Sequence, residues 1–320
     1  MSFRIREFQN TDVTHLASVW QQHYARAGLV SSCPSTVWEC CVFSKPYFEP
    51  GHFLVACRNE QPVGFIHIAF GANDDRSDLA KEHGLINAMC VAADSDEDQI
   101  AMALLAEAQI LLIRAGVKDL IATSSPNRFA FYVGLGPTDG LLGVSMHDRR
   151  LQAWLHGVGM QPWQATSRWE LDLLGFRPPM DRTQIQVRRQ FQVNRVIDGC
   201  VLDWCSAVAY GHAEQQYFQL SSRVPGGDRL DVLYWQPDPT IRGLEGAGYL
   251  MTLANVPPES DGRDRYVFLL SESLRQLHLD RVDRIRTYLF NDDTSATHVL
   301  QRLGFQCIEH GMVYQKSLAG

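Results

Sequence analysis

The pattern of hydrophobic and polar positions shows the same succession of segments in two stretches of the chain. Between Asn87 and Met160, an apolar run is followed by a charged turn, a long amphipathic stretch, a short apolar run and a shorter amphipathic stretch. The same order recurs between Leu253 and Phe305. Apolar residues at helical spacing indicate an amphipathic helix, whereas short apolar runs bounded by turn residues indicate strands. Each copy therefore predicts a strand, a turn, a long helix, a second strand and a short helix.

The long helix of each copy places a pair of leucines at the equivalent position. Leu104-Leu105 lies in the first copy and Leu269-Leu270 in the second, and a short apolar strand follows each helix at nearly the same distance. The units of a solenoid span about 20–50 residues, which is shorter than this repeat. The duplication therefore indicates two similar domains.

The boundary between the two predicted domains lies at a proline-rich stretch. We predict domains at 1–173 and 184–320, joined by a linker at 174–183 that contains two adjacent prolines. Proline cannot continue a helix or a central strand, so neither element should cross this point. The second domain is expected to open with a strand at Gln184–Val193, whose residues alternate, and to continue with a helix at Ile197–Tyr210.

An insertion in the first copy separates its second strand from its short helix. It runs from Ser124 to His147 and is rich in glycine and proline after Tyr132. Such a composition predicts a folded loop rather than a helix or a strand. A loop of this length inside a compact domain usually accompanies a function.

Composition and charge exclude several kinds of binding partner. The chain carries a net charge of −7 with 45% hydrophobic residues, and no apolar run approaches the roughly 18 residues that span a bilayer. No basic stripe is visible, so neither nucleic acid nor a membrane is an expected partner. The eight cysteines are scattered without a CxxC pair, which favours reduced thiols in a cytoplasmic protein and no metal site.

The duplicated strand-turn-helix-strand-helix order, closed by LQRLGF in the second copy, resembles the GNAT superfamily of acyl-CoA-dependent N-acetyltransferases in a tandem form. The resemblance implies an α+β fold of two tandem domains, each a twisted, mixed, mostly antiparallel sheet with flanking helices. It implies acetyl-CoA or another acyl-CoA as co-substrate and direct attack by an amine on the thioester. The acceptor would be a small-molecule or peptide amine, and assembly into a homo-oligomer is left open.

The family's cofactor loop follows the pattern Arg/Gln-x-x-Gly-x-Gly/Ala, which is altered in both copies. Its glycines let the backbone wrap the pyrophosphate at a helix N-terminus. Aligning the leucine pairs places Asp96–Ala101 on the pattern in the first domain, where only Ala101 fits. Asp261–Tyr266 occupies it in the second domain, where neither key glycine falls in place.

Charge distinguishes the two cofactor loops. A carboxylate about 8 Å from a phosphate charge costs about 2 kcal/mol at an effective dielectric near 20, and the first loop carries four carboxylates. In the second loop Arg263 and Arg265 offset the acidic residues, so we predict that the second domain holds acyl-CoA. The alternative for the first loop is that its carboxylates simply cap a helix. The predicted cofactor-binding residues are Gly262, Arg263, Asp264 and Arg265 on the loop, and Asn255 and Val256 through their main chain on the central strand, with Cys90 and Val91 as first-domain equivalents.

That central strand is expected to separate from its neighbour, as it does in the family, and to offer its main chain to the pantetheine arm. The reaction also needs a base for the amine proton and an acid for the leaving thiolate. The family's usual tyrosine acid is replaced by Leu155 and Leu300 in the two copies. Tyr132 and Tyr288 are the predicted substitute acids and Glu245 the predicted base. The missing tyrosines and glycines support the competing hypothesis, a catalytically inactive GNAT-fold binding or interaction protein.

Overall fold

One continuous sheet forms the centre of the protein. The computed structural model describes residues 3–29, 34–93, 96–126, 128, 131–196, 203–224, 229–237, 248–253 and 256–318. Within these residues the sheet contains 13 strands, and helices cover its faces. This mixed sheet with flanking helices confirms the predicted α+β class. Residues 3–173 are called the first half below, and residues 182–318 the second half.

The first half supplies the following elements in chain order. They are β1 (Arg4–Glu7), α1 (Val13–Arg26), the single turn α2 (Ser35–Trp38), β2 (Phe53–Arg58), β3 (Gln61–Ala72), β4 (Leu79–Val91), α3 (Glu97–Arg114), β5 (Asp119–Ala122), β6 (Val144–Ser145), α4 (Arg149–Gly157) and β7 (Gln161–Asp172). The predicted order of strand, long helix, strand and short helix is present as β4, α3, β5 and α4. The described part of the insertion between β5 and α4 folds as turns and the two-residue β6.

The second half repeats the order with different flanking elements. They are α5 (Arg182–Gln190), β8 (Phe191–Val196), α6 (Trp204–Tyr210), β9 (Ala213–Ser222), β10 (Arg229–Pro237), β11 (Gly248–Leu253), α7 (Ser260–Leu279), β12 (Arg284–Phe290), α8 (Thr294–Arg302) and β13 (Gln306–Ser317). The repeated unit is β11, α7, β12 and α8. Its long helix α7 packs its apolar stripe on the sheet, as the leucine pair predicts.

The strand predicted at Gln184–Val193 is wrong over most of its length. The chain forms α5 up to Gln190, and β8 begins only at Phe191. The Asp181 side chain accepts a hydrogen bond from the Gln184 N–H at 2.8 Å, which caps the helix. Gln184 and Val187 are the buried positions, so the helical three-residue spacing prevails over the alternation.

The closing strands of the two halves lie side by side in the middle of the sheet. The strand order is β1-β2-β3-β4-β5-β13-β7-β12-β11-β10-β9-β8, with β6 paired to β13. Thus β13, the last strand of the chain, lies between β5 and β7 of the first half, and β7 pairs with β12 of the second half. The domain boundaries at 174–183 stay a prediction, and the sheet crosses from one half to the other without interruption.

Along each strand, alternate side chains point to opposite faces of the sheet and form separate hydrophobic cores there. In the first half α3 and α4 cover one face of the sheet, and α1 and α2 cover the other. In the second half α7 and α8 pack on one face of β9 to β12. The other face packs against α6 and against residues 133–142 of the insertion. The insertion therefore belongs to the first half in sequence but completes the core of the second.

Candidate functional site

Two neighbouring parallel strands separate in each half. In the first half β4 and β5 pair from His83 with Asp119 to Ile86 with Ala122, and β4 then continues to Val91 without β5. In the second half the pairing of β11 and β12 ends at Met251 with Thr287. The openings beyond these last pairs are called the first gap and the second gap. They match the strand separation expected for a pantetheine site.

A β-bulge accompanies the first gap. The register of β3 against β4 shifts between His67 with Ala88 and Ile68 with Ile86, so Asn87 is an extra residue. A bulge bends its strand and increases the local twist. Because it lies immediately after the last β4–β5 pair, it turns β4 away from β5.

The first gap encloses a cavity of about 20 Å³. This volume accommodates about one water molecule, far less than an acyl group with its pantetheine arm. The walls come from α1, β4, the end of β5, the insertion and the start of α4. They include Trp20, Asn87, Thr123, Tyr132, Ser145 and Asp148.

A buried histidine from α1 closes the first gap. His23 Nε2 lies 2.8 Å from Asp148 Oδ2, and the Val91 N–H donates to His23 Nδ1 at 3.3 Å. These two partners assign the proton to Nε2, since Nδ1 accepts. His23 and Asp148 are both essentially inaccessible to solvent. The Val91 amide that was predicted to bind pantetheine thus binds a protein side chain.

The His23–Asp148 pair stabilises the fold through the ionised carboxylate. Burial by itself would raise the pKa of Asp148, but hydrogen bonds from His23 and from the Leu151 N–H hold that pKa below its usual range. A carboxyl group with a lowered folded-state pKa contributes stability above its unfolded pKa of about 3.9, and this contribution is lost as the pH falls through the folded pKa.

Asp148→Asn should therefore destabilise the protein at neutral pH and not in strong acid. We expect a loss of about 2 kcal/mol at pH 7, because two hydrogen bonds to a charged group are weakened. Urea unfolding at a series of pH values measures this loss. The difference between the two proteins should shrink below about pH 4, and a difference that stays constant to pH 2 would contradict the assignment.

The first turn of α3, which is the first-half equivalent of the predicted phosphate-binding turn, is crowded by internal contacts. Its carboxylates bind side chains from α1, β2 and α4. The contacts are Arg58 with Asp96 at 2.8 Å, Arg26 and Arg150 with Glu97, and Trp154 Nε1 with Asp98 Oδ1 at 2.7 Å. A phosphate at this helix N-terminus would meet three carboxylates and would have to displace the side chains that neutralise them.

The first turn of α7 is different. The Arg263 N–H makes the first bond of the helix, to Glu259 O at 3.0 Å. The N–H groups of Ser260, Asp261 and Gly262 come before it and have no carbonyl of their own helix to bind. Unpaired N–H groups at a helix N-terminus form an anion site. The second half therefore presents the donors that a pyrophosphate requires.

In this turn Asp261 is exposed, whereas Gly262 is buried against Pro257. Arg265 pairs with Asp261 at 3.2 Å, and Arg302 of α8 pairs with Asp264. Among the described residues, the hydrogen bonds and ion pairs that join α8 to α7 reach Asp264, and none reaches the first turn. A Cβ on Gly262 would overlap Pro257, so glycine is needed at this close approach.

Tyr288 lies at the second gap, one residue past the last β11–β12 pair. Its hydroxyl donates to Asp139 Oδ2, and Arg286 Nη1 lies 2.7 Å from the same carboxylate oxygen. Burial and the neighbouring Asp139 carboxylate raise the pKa of Tyr288 well above its usual value. A higher pKa makes the phenol a weaker proton donor, so this environment favours a structural role. The predicted catalytic role of Tyr288 stays a prediction.

Tyr132 lines the first gap rather than the second. Its hydroxyl lies 3.0 Å from His67 Nδ1, and its ring stacks on Trp20 with 5.4 Å between the centroids. Its role as an acid also stays a prediction. Glu245 and Asn255 lie outside the described residues. The side chain of Cys90 is buried, and that of Val256 packs on the core of the second half.

Sequence reasoning missed three buried polar side chains at the two gaps. His23 lies on the buried face of α1, where Leu16, Trp20 and Tyr24 mark the apolar stripe. A polar residue on such a stripe is a signal for a buried partner. The other two are Asp148, which caps α4, and Asp139 in the insertion. Arg286, the partner of Asp139, is 147 residues away, so the local sequence pattern does not predict this contact.

Neither a metal cluster nor a membrane-spanning helix occurs in the part of the chain that the structure describes. Among these residues, no group of three or more His, Cys, Asp or Glu side chains is placed to hold a metal ion. None of the described helices combines the length and the apolar character that crossing a bilayer requires.

Comparison with family models and with curated proteins gives no match. Among solved structures, a tandem GNAT protein from the clavulanic acid biosynthesis pathway has a TM-score of 0.64 at 13% identity, covering 100% of this chain and 99% of that one. A GCN5-related N-acetyltransferase from Sphaerobacter thermophilus has a TM-score of 0.66 at 9% identity, covering 98% of this chain and 95% of that one.

A GCN5-related glucosamine N-acetyltransferase region in a fungal multi-domain GH3 β-N-acetylglucosaminidase gives a TM-score of 0.71 at 14% identity. The match covers 98% of this chain but only 38% of the fungal protein. The fold is therefore the tandem GNAT fold, which confirms the resemblance drawn from the repeated order of elements.

Proposed function

We propose that the protein is an acyl-CoA-dependent N-acyltransferase that uses acetyl-CoA and binds it in the second half. The observation that carries this proposal is the contrast between the two helix N-termini. Ser260, Asp261 and Gly262 offer N–H groups beside the second gap. The corresponding turn of α3 is filled by carboxylates and their arginine and tryptophan partners.

The second gap supports the same assignment for the pantetheine arm. Beyond Met251 the strand β11 continues to Leu253 without a pairing partner in β12. An unpaired strand edge presents N–H and C=O groups to an amide-bearing chain. In the first gap the Val91 N–H is already bonded to His23. The first half accordingly serves as a structural half in this proposal.

The proposed reaction is direct transfer of an acyl group to an amine. The amine nitrogen forms a bond to the thioester carbonyl carbon, the carbon–sulfur bond breaks, the amine proton passes to a base and the thiolate receives a proton. Glu245 remains the proposed base. The proposed acceptor is a small-molecule or peptide amine, for which the negative net charge is favourable. A cytoplasmic location belongs to the same proposal.

Arg263→Glu tests the cofactor assignment. Arg263 lies in the first turn of α7, and its replacement by glutamate changes the charge beside the proposed phosphate site from positive to negative. We expect the dissociation constant for acetyl-CoA to rise about tenfold, which corresponds to about 1.4 kcal/mol. Isothermal titration calorimetry at low salt measures the change, since salt screens exposed charges.

Gln99→Glu is the matched control in the first half. Gln99 is exposed in the first turn of α3, so the substitution adds negative charge at the equivalent end of the other long helix. We expect the affinity to stay within about twofold of wild type. A large loss with Gln99→Glu and none with Arg263→Glu would move the cofactor to the first half, and no binding by wild type at millimolar acetyl-CoA would refute the proposal.

A catalytically inactive binding protein is the second candidate, and the state of Tyr288 favours it. The phenol is buried, donates to Asp139 and has a raised pKa, so it is poorly suited to protonate a leaving thiolate. Release of free CoA thiol, measured over a panel of amines, separates the candidates. Binding of acetyl-CoA without thiol release above the buffer rate would support the inactive protein.

A further inference from the structure

Helix α6 belongs to the second half but is held by the first. At its start, Arg76 Nε lies 3.0 Å from Asp203 Oδ1, and the Cys205 N–H donates to the Arg76 carbonyl at 3.2 Å. The Trp204 ring packs edge-on against Tyr47 with 5.7 Å between the centroids. Together with the hydrogen bond from Arg76 Nη2 to Ser206 Oγ at 3.1 Å, these contacts hold the first turn of α6 against the first half of the chain.

The end of α6 is fastened by one buried lysine. Lys45 Nζ donates to Val208 O at 2.7 Å and to Ala209 O at 2.9 Å, and it lies 3.0 Å from His212 Nδ1. The last carbonyls of a helix lack partners within the helix and carry partial negative charge. The three hydrogens of an ammonium group match these three acceptors. Only 7% of Lys45 is exposed, so few water molecules can replace the contacts.

His212 continues the connection into the insertion. Its Nε2 lies 3.0 Å from the Val133 carbonyl, so Nε2 carries the proton and Nδ1 accepts from Lys45. Burial and the adjacent Lys45 lower the pKa of His212 to about 4, which keeps the imidazole neutral near pH 7. Val133 and Lys45 belong to the first half, whereas Val208, Ala209 and His212 belong to the second.

The surface beneath α6 is the face of the sheet at the second gap. Ala209 and Tyr210 pack in one buried cluster with Trp235, Leu250 and Tyr288. Leu250 lies on β11 within its pairing with β12, and Tyr288 is one residue beyond that pairing. Displacement of α6 would thus uncover the place where the two strands separate.

We propose that Lys45 is a latch that holds α6 over the second gap and that loss of the proton from its buried amine tightens this latch. In the closed position the amine is desolvated, whereas in the open position it returns to water. A neutral amine keeps two N–H groups, enough for the carbonyls of Val208 and Ala209. It gives up only the contact with His212.

The sign of the pH dependence follows from proton linkage. Burial lowers the pKa of Lys45 from 10.5 to about 8, and the neighbouring Cys41 and Cys40 act in the opposite direction. Cys41 is itself buried, which raises its pKa to about 12 and keeps it a neutral thiol. Between pH 8 and 10, opening α6 takes up a proton, so opening becomes up to about tenfold less favourable with each pH unit. Below pH 8 the lysine is charged in both positions and the dependence disappears.

Hydrogen exchange of a peptide that covers α6 tests the latch. The full-length wild type should give protection factors that are flat from pH 6.5 to 8 and then rise several-fold per unit to pH 10. The protection factor removes the pH dependence of intrinsic exchange, and a peptide from α3 serves as internal reference. Lys45→Arg keeps a charged donor at every pH, so its profile should stay flat. Lys45→Met should lower α6 protection throughout.

Two results would overturn the proposal: a wild-type profile that stays flat to pH 10, or the same rise in Lys45→Arg. If Lys45→Met lowers α3 protection equally, its effect is global and the Lys45→Arg comparison decides. Control of acceptor access by α6 rests on the proposed function. The exchange measurement requires neither acetyl-CoA nor turnover, so the latch and the transferase proposal fail separately.

Discussion

Gly311→Ala should lower the free energy of unfolding by about 3 kcal/mol, at the upper end of the cost of overpacking. Gly311 lies in β13, opposite Thr166 of β7 on one side and Ser145 of β6 on the other. A Cβ there would come within 2.7 Å of Thr166 Oγ1 and closer still to the carbonyl oxygen of Leu142. Backbone on the insertion would have to move, because no flexible side-chain end can relieve the overlap.

Gly157→Ala is the matched control for this substitution. Gly157 ends α4, and a Cβ there would meet only Met102, at 3.4 Å from the sulfur. Alanine is favoured over glycine in a helix, so the change should be neutral or slightly stabilising. Chemical denaturation followed by circular dichroism measures both variants. If Gly311→Ala were as stable as wild type, β13 could not lie packed beneath the insertion.

Arg286→Met should cost about 3–5 kcal/mol, because it leaves the buried Asp139 carboxylate without its cation. Arg286 on β12 binds Asp139 at 2.7 Å and Glu170 at 2.9 Å, and only 16% of its side chain is exposed. Asp139 is buried and would keep only the hydroxyl of Tyr288 among the partners that the structure describes. The methionine retains most of the volume, so the loss reports on charge rather than on a cavity.

Arg284→Met, two residues earlier on the same strand, is the control. Arg284 is 57% exposed and lies 3.9 Å from Glu170, so its ion pair is weak and solvated. We expect a change within about 0.5 kcal/mol, measured in the same denaturation experiment. A cost for Arg286→Met no larger than this control would show that the insertion is not held to the second half by Asp139.

The repeated core of the fold could be predicted from the sequence because its signals are local. The apolar stripe of α3 and the leucine pair of α7 are set by helical spacing within single segments. The strand expected at Gln184–Val193 failed because Gln184 and Val187, three residues apart, also form a buried helical face, and the Asp181 cap favours the helix. Local pattern predicts an element well where the segment is long and less well where it is short.

The position of β13 could not be predicted in this way. Its residues alternate as a strand should, but nothing within the strand specifies that its neighbours are β5 and β7. The same limit applies to the candidate site. Charge in the two loops pointed to the second half, and the contacts of Glu97 and Asp98 support that preference. The pairing of His23 with Asp148 depends on residues 125 positions apart.

The two halves of the chain have different proposed roles, although they share one fold. Contacts of His23, Glu97 and Asp98 close the first gap and the turn beside it, so the first half gains stability where a cofactor would otherwise bind. It also supplies Asp139 and Lys45, which fix Arg286 and α6 around the second gap. The first half thus contributes contacts that stabilise the second half, which we propose to be active.

A crystal structure of the full-length protein with acetyl-CoA is the most direct test of the central claim. We expect one molecule per chain, with the pantetheine arm between β11 and β12 and the pyrophosphate at the N–H groups of Ser260 to Gly262. We also expect His23 and Asp148 to keep their hydrogen bond. Density for the cofactor between β4 and β5, with His23 displaced from Val91, would show that the first half holds the cofactor instead.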